Sequence, residues 1–166
     1  VPDDPPLFDD LTVGEHLDFV ARLYQIEDHR RTAIDLLERF ELLGKYDAMV
    51  TSLSRGMRQK LAVACAYLIQ PQVLLLDEPL TGLDGARKEE LLRYITRLTQ
   101  QVDIPVVYVS HDADEITTIA NHLVVMKAGR VEASDALNPL LNRFELTREL
   151  GGFDAASLLE GKVVAH

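Results

Sequence analysis

The pattern of hydrophobic and polar positions predicts short buried strands separated by amphipathic helices. Residues 73–76 and 106–109 are unbroken apolar runs that are too short for helices. We expect the first to form a fully buried parallel strand and the second to form a neighbouring buried strand. Residues 122–127 predict a third strand, which turns through residues 128–130 into a further extended segment. Strands that alternate with helices indicate the α/β fold class, with a parallel sheet.

Two amphipathic helices are predicted ahead of the first strand, and a longer one, residues 87–101, is predicted after it. Residues 12–15 have the threonine and glutamate of a capping box, which indicates a helix start. The second helix is predicted from about residue 30 to residue 43, ending at Gly44. The positions of the first two helices that are expected to face the core are Leu17, Val20, Ala21, Tyr24, Leu36, Phe40 and Leu43.

A further helix is predicted to begin at Ser54 and to run to residue 68. The serine hydroxyl and the first N–H groups of that helix would form an anion site, where the helix dipole favours a phosphate. Gly56 would let a phosphate approach the backbone closely, although glycine in a helix costs about 1 kcal/mol relative to alanine. An ordinary N-cap explains the serine but not this glycine.

The first apolar strand ends in two acidic residues, Asp77 and Glu78. The carboxyl ends of parallel strands are where an open α/β sheet presents ligand-binding groups. One carboxylate there can hold Mg²⁺ against phosphates, and the next can orient or deprotonate an attacking water. The alternative is a core strand that runs into an acidic turn. His111 follows the second strand in the same way, as a candidate catalytic residue or a structural histidine.

Taken in order, these segments resemble the ATP-binding cassette (ABC) ATPases. Residues 54–59 resemble the signature motif, residues 73–78 the Walker B motif, residues 80–84 the D-loop, and His111 the switch histidine. The resemblance covers roughly residues 1–135. It implies part of a P-loop NTPase core, with a parallel sheet, an inserted helical subdomain, and ATP and Mg²⁺ as cofactors.

The resemblance also implies roles for individual residues. Asp77 would hold Mg²⁺, Glu78 would polarise the attacking water, and His111 would stabilise the transferring phosphoryl group. Asp84 would organise the seam of a head-to-tail dimer of ATPase subunits. The signature residues that are expected to act on the nucleotide of the second subunit are Ser54, Arg55, Gly56 and Gln59.

Three positions depart from the family pattern. Asp3 stands where the Q-loop glutamine is expected, and an aspartate there could still reach a metal or its water. Arg55 replaces the first signature glycine, and Met57 replaces the glutamine that follows the glycine pair. These replacements weaken the signature motif without removing the anion-binding character of the helix start.

No phosphate loop of the form G-x-x-x-x-G-K-[ST] occurs in the sequence. We therefore interpret the chain as the C-terminal part of a longer ATPase subunit and expect it to be inactive alone. We predict five parts in chain order. They are a Q-loop-like segment (residues 1–10), a helical subdomain (11–70), an α/β core part (71–135), a helical connection (136–150) and the start of a truncated regulatory β-domain (151–166).

Composition narrows the class of protein. The net charge of −10 argues against a nucleic-acid surface, which needs basic residues to replace counterions. Cys65 is the single cysteine, so no disulfide forms within the chain, which fits a reducing compartment. No apolar run reaches the ~18–20 residues of a membrane span. Together with this composition, the family resemblance implies a peripheral protein at the cytoplasmic face of the inner or plasma membrane, bound to transmembrane permease subunits.

The chain gives two indications of the transported substrate. Residues 5–84 look like ATPases of multidrug and polyketide exporters, whereas residues 104–111 and 158–166 resemble molybdate importer ATPases. In those importers the last segment begins an oxyanion-binding regulatory domain, so we expect import of molybdate or another oxyanion. The alternatives are an exporter ATPase, a non-catalytic module that completes a partner's ATP site through Ser54 and Gly56, and a chromosome-maintenance or repair ATPase.

Overall fold

The chain forms five α-helices and five strands within the residues that the computed structural model describes, 1–101, 104–139 and 155–160. The helices are α1 (Val13–Leu23), α2 (His29–Arg39), α3 (Arg55–Leu68), α4 (Gly85–Gln101) and α5 (Ala113–Ile119). The strands are β1 (Leu74–Asp77), β2 (Val106–Ser110), β3 (His122–Lys127), β4 (Arg130–Ala136) and β5 (Ala155–Glu160). None of the described helices is long and apolar enough to cross a bilayer.

These elements fall into two compact units. The first, called the helical unit, consists of Val1–Pro71 and Pro79–Tyr94. The second, called the sheet unit, consists of Gln72–Glu78 and the described residues from Ile95 onward. The division assigns the predicted D-loop to the helical unit and the predicted Walker B acids to the sheet unit.

The first helix, α1, begins as predicted at a capping box. Thr12 Oγ1 accepts a hydrogen bond from the Glu15 amide at 3.2 Å, and the Glu15 carboxylate accepts one from the Thr12 amide at 2.8 Å. These bonds satisfy two of the amide groups that lack intrahelical partners at a helix start. Leu17 and Ala21 are buried as expected, whereas Tyr24, the C-cap residue, is 58% exposed.

The second helix, α2, ends earlier than predicted. Glu41 adopts a left-handed backbone with φ of 55°, and the Leu42 amide donates to the Leu37 carbonyl at 2.7 Å. This is the bonding pattern of a Schellman motif, which ends a helix. The turn buries Leu42 completely and leaves Leu43 40% exposed. The predictions that the helix continues to Leu43 and stops at Gly44 are therefore wrong, since both residues lie in a separate 3₁₀ turn.

A close contact between α1 and the loop before α3 predicts the effect of one substitution. A Cβ added to Gly14 would lie 2.5 Å from carbons of the half-buried Tyr46 ring. Alanine favours a helix over glycine by about 1 kcal/mol, but overpacking costs about 1–3 kcal/mol. We expect Gly14→Ala to lower the free energy of unfolding by about 1 kcal/mol in urea denaturation. Gly44→Ala is the control, because its added Cβ meets no atom within 4 Å. Equal stability of the Gly14 variant and the wild type would contradict this expectation.

The sheet unit contains a mixed sheet whose described strands lie in the order β1-β2-β5-β3-β4. β1 and β2 are parallel, as predicted, while the pairs β2–β5, β5–β3 and β3–β4 are antiparallel. β3 and β4 form the predicted hairpin. In its turn Ala128 and Gly129 have φ values of 49° and 74°, the left-handed conformation that a tight two-residue turn requires.

The prediction that the first strand is fully buried is wrong. Leu74 and Leu76 are buried, whereas Val73 and Leu75 are 53% and 50% exposed. Side chains alternate between the two faces of a strand, and β1 lies at the end of the sheet order, next to β2. One face of β1 is therefore buried and the other is exposed.

The predicted C-terminal segments fall largely outside the described residues. Of the predicted helical connection, residues 136–150, the structure describes residues 136–139. Of the predicted regulatory β-domain, residues 151–166, it describes the six residues of β5, whose backbone pairs with β2 and β3. The assignment of this segment to a regulatory domain stays a prediction.

Candidate functional site

Two parallel strands of the sheet unit end side by side and carry the candidate catalytic residues. β1 and β2 pair in a register that sets Leu76 opposite Tyr108 and Asp77 opposite Val109. The Glu78 amide extends this ladder by donating to the Val109 carbonyl at 2.9 Å. The residues after both strands therefore lie at the carboxyl edge of the sheet, where open α/β sheets bind ligands.

Glu78 has an unusual backbone conformation at the end of β1. Its φ of 48° lies in the left-handed region, which costs a residue with a side chain on the order of 1–3 kcal/mol. The hydrogen bond of its amide to Val109 holds this conformation in place. The side chain is 27% exposed, so the carboxylate is fixed at the sheet edge but remains accessible from solvent.

The structure brings Glu78 and His111 together. His111 Nδ1 lies 2.7 Å from Glu78 Oε1, a distance typical of a charge-assisted hydrogen bond. This hydrogen bond, followed by the negative charge of Glu78, raises the pKa of His111 above its ordinary value. With Nδ1 directed at Glu78, the opposite ring nitrogen, Nε2, is the atom that can meet a ligand.

The raised pKa of His111 gives a prediction for pH dependence. The pair contributes stability fully below the ordinary pKa of about 6.5, and this contribution is lost as the pH rises through the raised pKa of the folded state. In Glu78→Gln we expect the His111 pKa to fall toward 6.5, because the charged acceptor is removed. NMR titration of the His111 ring measures this shift. Ring signals of the other histidines should be the same in both proteins, and an unmoved His111 curve would contradict the pairing.

The two predicted magnesium ligands belong to different units. Asp77 is exposed at the end of β1 in the sheet unit, directly before Glu78. Asp3 is exposed in the helical unit, where its carboxylate accepts a hydrogen bond from the Asp4 amide at 2.8 Å. Within the described parts of the chain, no three His, Cys, Asp or Glu side chains are gathered into a ready-made metal site. Asp77 presents a carboxylate, the oxygen ligand that Mg²⁺ prefers, at the same edge as the Glu78–His111 pair.

The signature segment begins α3 as predicted. Ser54 is the N-cap residue, and its Oγ accepts a hydrogen bond from the Met57 amide at 3.3 Å. Gly56 is buried in the first turn, where an added Cβ would lie 3.7 Å from Leu83 Cδ2, an ordinary contact distance. Packing alone therefore does not require glycine at this position.

Arg55 lies against the D-loop of the same chain. An added Cβ on Gly82 would lie 2.5 Å from Arg55 Nη1, so the guanidinium packs directly over this glycine. Gly82 has a φ of 73°, which glycine adopts without strain. From the sequence, Arg55 was expected to act on the nucleotide of a second subunit, and no sequence pattern indicated this contact with Gly82. The arginine that replaces a signature glycine thus fills space over the D-loop within the helical unit.

Gln59 and Asp84 have structural partners within the helical unit. Gln59 is 2% exposed, and its Nε2 donates to the Pro2 carbonyl at 3.0 Å, which ties α3 to the N-terminal loop. The Asp84 carboxylate accepts from the Arg87 amide at 3.1 Å at the start of α4, and it lies 3.4 Å from Arg87 Nε. Their predicted roles in binding nucleotide stay predictions.

The sequence did not single out a buried acid four residues after His111, the predicted switch histidine. Glu115 is 4% exposed in the first turn of α5 and accepts hydrogen bonds from Tyr108 and Ser110, both at 2.7 Å. An acid in the first turn of a helix is common because it complements the helix dipole, so its position alone gave no reason to expect burial. Tyr108 and Ser110 lie at alternate positions of β2, so their hydroxyl groups share one face of the strand. This pair of hydroxyl groups was the sequence signal that could have indicated a buried acceptor.

Comparison with known proteins identifies relatives for most of the chain. A family model described as "ABC transporter" matches residues 1–81. Proteins named "Molybdenum import ATP-binding protein ModC" are similar to the chain: that of Pseudomonas savastanoi pv. phaseolicola is 42% identical over 163 residues, 96% of this chain. The protein of the same name from Thiobacillus denitrificans is 41% identical over 161 residues, also 96% of the chain. The chain spans 44% of the length of both relatives.

Two solved structures resemble the fold. One, described as the ATP binding subunit of an ABC transporter, has a TM-score of 0.74 and 27% identity, over 91% of this chain and 65% of that one. The other, an inward-facing conformation of a transporter described as of the metal-chelate ABC type, has a TM-score of 0.77 over 96% of this chain and 71% of that one. Its 20% identity supports the fold alone.

Proposed function

The chain belongs to the ABC transporter family, and we propose that its protein binds and hydrolyses ATP to energise the import of molybdate or a related oxyanion. The observation that carries the hydrolytic part is the 2.7 Å contact between Glu78 and His111 at the ends of two adjacent parallel strands. A carboxylate held by an imidazole at this edge is suited to act on water beside a phosphate.

Each residue at the sheet edge has a distinct part in this proposal. Glu78 accepts a hydrogen bond from the attacking water and polarises it. His111 keeps Glu78 in place through Nδ1 and donates to an oxygen of the transferring phosphoryl group through Nε2. Asp77 would hold Mg²⁺, which supplies positive charge to the phosphates when it is bound.

The signature segment would serve the nucleotide of a second subunit. The capped N-terminus of α3 presents amide groups beside Ser54 and Gly56, and the helix dipole there favours an anion. Arg55 adds a positive charge at the same helix start. A head-to-tail dimer, with Asp84 at its seam, would join this surface to the acidic edge of its partner. Because these 166 residues include no phosphate loop, we expect the chain alone to be inactive.

Molybdate is proposed as the substrate from the names of the relatives and from the C-terminal segment. The relatives named for molybdenum import match nearly the whole chain, including the part beyond residue 135. That part resembles the start of an oxyanion-binding domain in molybdate importers. In this proposal the protein works with transmembrane permease subunits, as a peripheral protein at the cytoplasmic face of the membrane.

Uptake measurements test the substrate. A strain that lacks the gene, grown in trace molybdate, should accumulate less molybdenum than the parent by mass spectrometry of washed cells. The wild-type gene should restore accumulation, and the Glu78→Gln gene should not, because import needs hydrolysis. Normal molybdenum content together with increased retention of a fluorescent drug would instead indicate an exporter and overturn the proposed substrate.

A further inference from the structure

A buried carboxylate lies behind the edge that carries His111. Glu115 is 4% exposed, and its Oε2 accepts one hydrogen bond from the Tyr108 hydroxyl and one from the Ser110 hydroxyl, both at 2.7 Å. Burying a carboxylate is costly unless its oxygens are hydrogen-bonded. Tyr108 is fully buried, and Ser110 is as well. Burial, followed by the charge of Glu115, raises the pKa of Tyr108, so the phenol keeps the proton that it donates.

Ser110 connects this carboxylate to the turn that presents His111. Its Oγ donates to Glu115 and also accepts a hydrogen bond from the Asp112 amide at 3.1 Å. Ser110 and Asp112 are the two residues that flank His111. The hydrogen bond from the Asp112 amide to Ser110 Oγ therefore links the residue before the histidine to the residue after it.

The other side of the turn is fixed by the cap of α5. The Asp112 carboxylate accepts hydrogen bonds from the amides of Asp114 and Glu115, at 2.9 and 3.3 Å. Glu115 is therefore bonded at both ends of the turn, through its side chain to Ser110 and through its amide to Asp112. His111 itself is 64% exposed, and its own side chain contact is with Glu78. The surrounding turn, rather than burial, must therefore set the position of the imidazole.

We infer that Glu115 is a positioning residue: acting through Ser110, it fixes the turn that holds the His111 imidazole against Glu78. The inference rests on the proposed function, since it assigns His111 and Glu78 to ATP hydrolysis. A displacement of about 1 Å at a reacting group can lower a rate by as much as 10²-fold. A carboxylate that only filled the core would affect stability without acting through His111.

A double-mutant cycle on ATP hydrolysis by the full-length protein tests the inference. Ser110→Ala removes the bonds to Glu115 and to the Asp112 amide without adding bulk, and we expect it to lower kcat about tenfold with KM for ATP changed less than about twofold. In a His111→Ala background the same substitution should have no further effect on kcat, because no imidazole remains to be positioned. Glu115→Gln should behave in the same way where it folds. Thr118→Val is the control, since it removes a hydroxyl of α5 that bonds the Asp114 carbonyl and not the turn.

The outcomes separate this inference from the proposed function. Absence of ATP hydrolysis in the wild-type protein would contradict the proposed function. Hydrolysis by the wild type with equal losses for Ser110→Ala in both backgrounds would overturn the positioning role and leave the function intact. A wild-type kcat in Ser110→Ala would overturn it as well. A loss for Ser110→Ala that disappears in the His111→Ala background, with Thr118→Val active, is the result that we expect.

Discussion

Replacement of Glu78 by glutamine is expected to abolish ATP turnover while leaving nucleotide binding in place. Glutamine has nearly the same shape as glutamate but cannot take up a proton or polarise water as a carboxylate does, and such groups contribute about 10²–10⁴-fold to a rate. The backbone bond of Glu78 to Val109 does not depend on its side chain, so the strand end should keep its structure. Phosphate release from the full-length protein measures turnover, and binding of a fluorescent ATP analogue measures affinity.

Glu132→Gln is the matched control for this prediction. Glu132 is an exposed acid of β4 in the same sheet unit, and the substitution removes an equal charge away from the candidate site. We expect its turnover to equal that of the wild type. Turnover retained in Glu78→Gln, at the level of this control, would remove Glu78 from the catalytic assignment.

Gly56→Ala is expected to separate stability from activity. The added Cβ would lie 3.7 Å from Leu83 Cδ2, so it fits without strain, and alanine should stabilise the helix by up to about 1 kcal/mol. The same methyl group stands at the N-terminus of α3, where it would keep a phosphate from approaching the backbone. We therefore expect an unchanged or higher melting temperature together with at least about a tenfold loss of ATP turnover.

Gly85→Ala provides the comparison for Gly56→Ala. Gly85 is the first residue of α4, and an added Cβ there meets no atom within 4 Å. This variant should keep both its stability and its activity. Full activity of Gly56→Ala would contradict a role for the α3 helix start in binding phosphate.

A mixture of the two inactive variants tests the head-to-tail dimer. In a mixed dimer of Glu78→Gln and Gly56→Ala subunits, one site contains both substitutions and the other contains neither. With random pairing, co-expression should recover roughly a quarter of the wild-type rate, since half of the dimers are mixed and half of their sites are intact. No recovery would indicate that Glu78 and Gly56 serve the same site from one subunit.

Local sequence signals were sufficient for most elements of the fold and for the central pair of the site. The capping residues Thr12 and Ser54 correctly predicted where α1 and α3 begin, and the apolar runs correctly predicted β2 and β3. Glu78 and His111 each follow an apolar strand, and the parallel pairing of β1 with β2 was enough to bring them together. These features depend on short stretches of chain and on one general property of parallel sheets.

The features that the sequence did not predict depend on contacts that no sequence pattern marks. The Schellman turn at Glu41 ends α2 without the glycine that usually marks such a turn. The prediction relied on the spacing of apolar residues alone, and it therefore placed the end of the helix too late. Arg55 packs on Gly82, and no local pattern links these residues. Burial of Glu115 follows from two hydroxyl groups on the preceding strand, and the position of an acid in the first turn of a helix does not by itself indicate burial.

The half-exposed first strand has a consequence for handling the protein. β1 stands at the end of the sheet order and presents Val73 and Leu75 to solvent. An end strand with exposed apolar side chains is the kind of segment through which β-sheets of separate molecules join. Samples of this chain should therefore self-associate with rising concentration, and a lysine in place of Leu75 should delay that association by placing a charge on the exposed face.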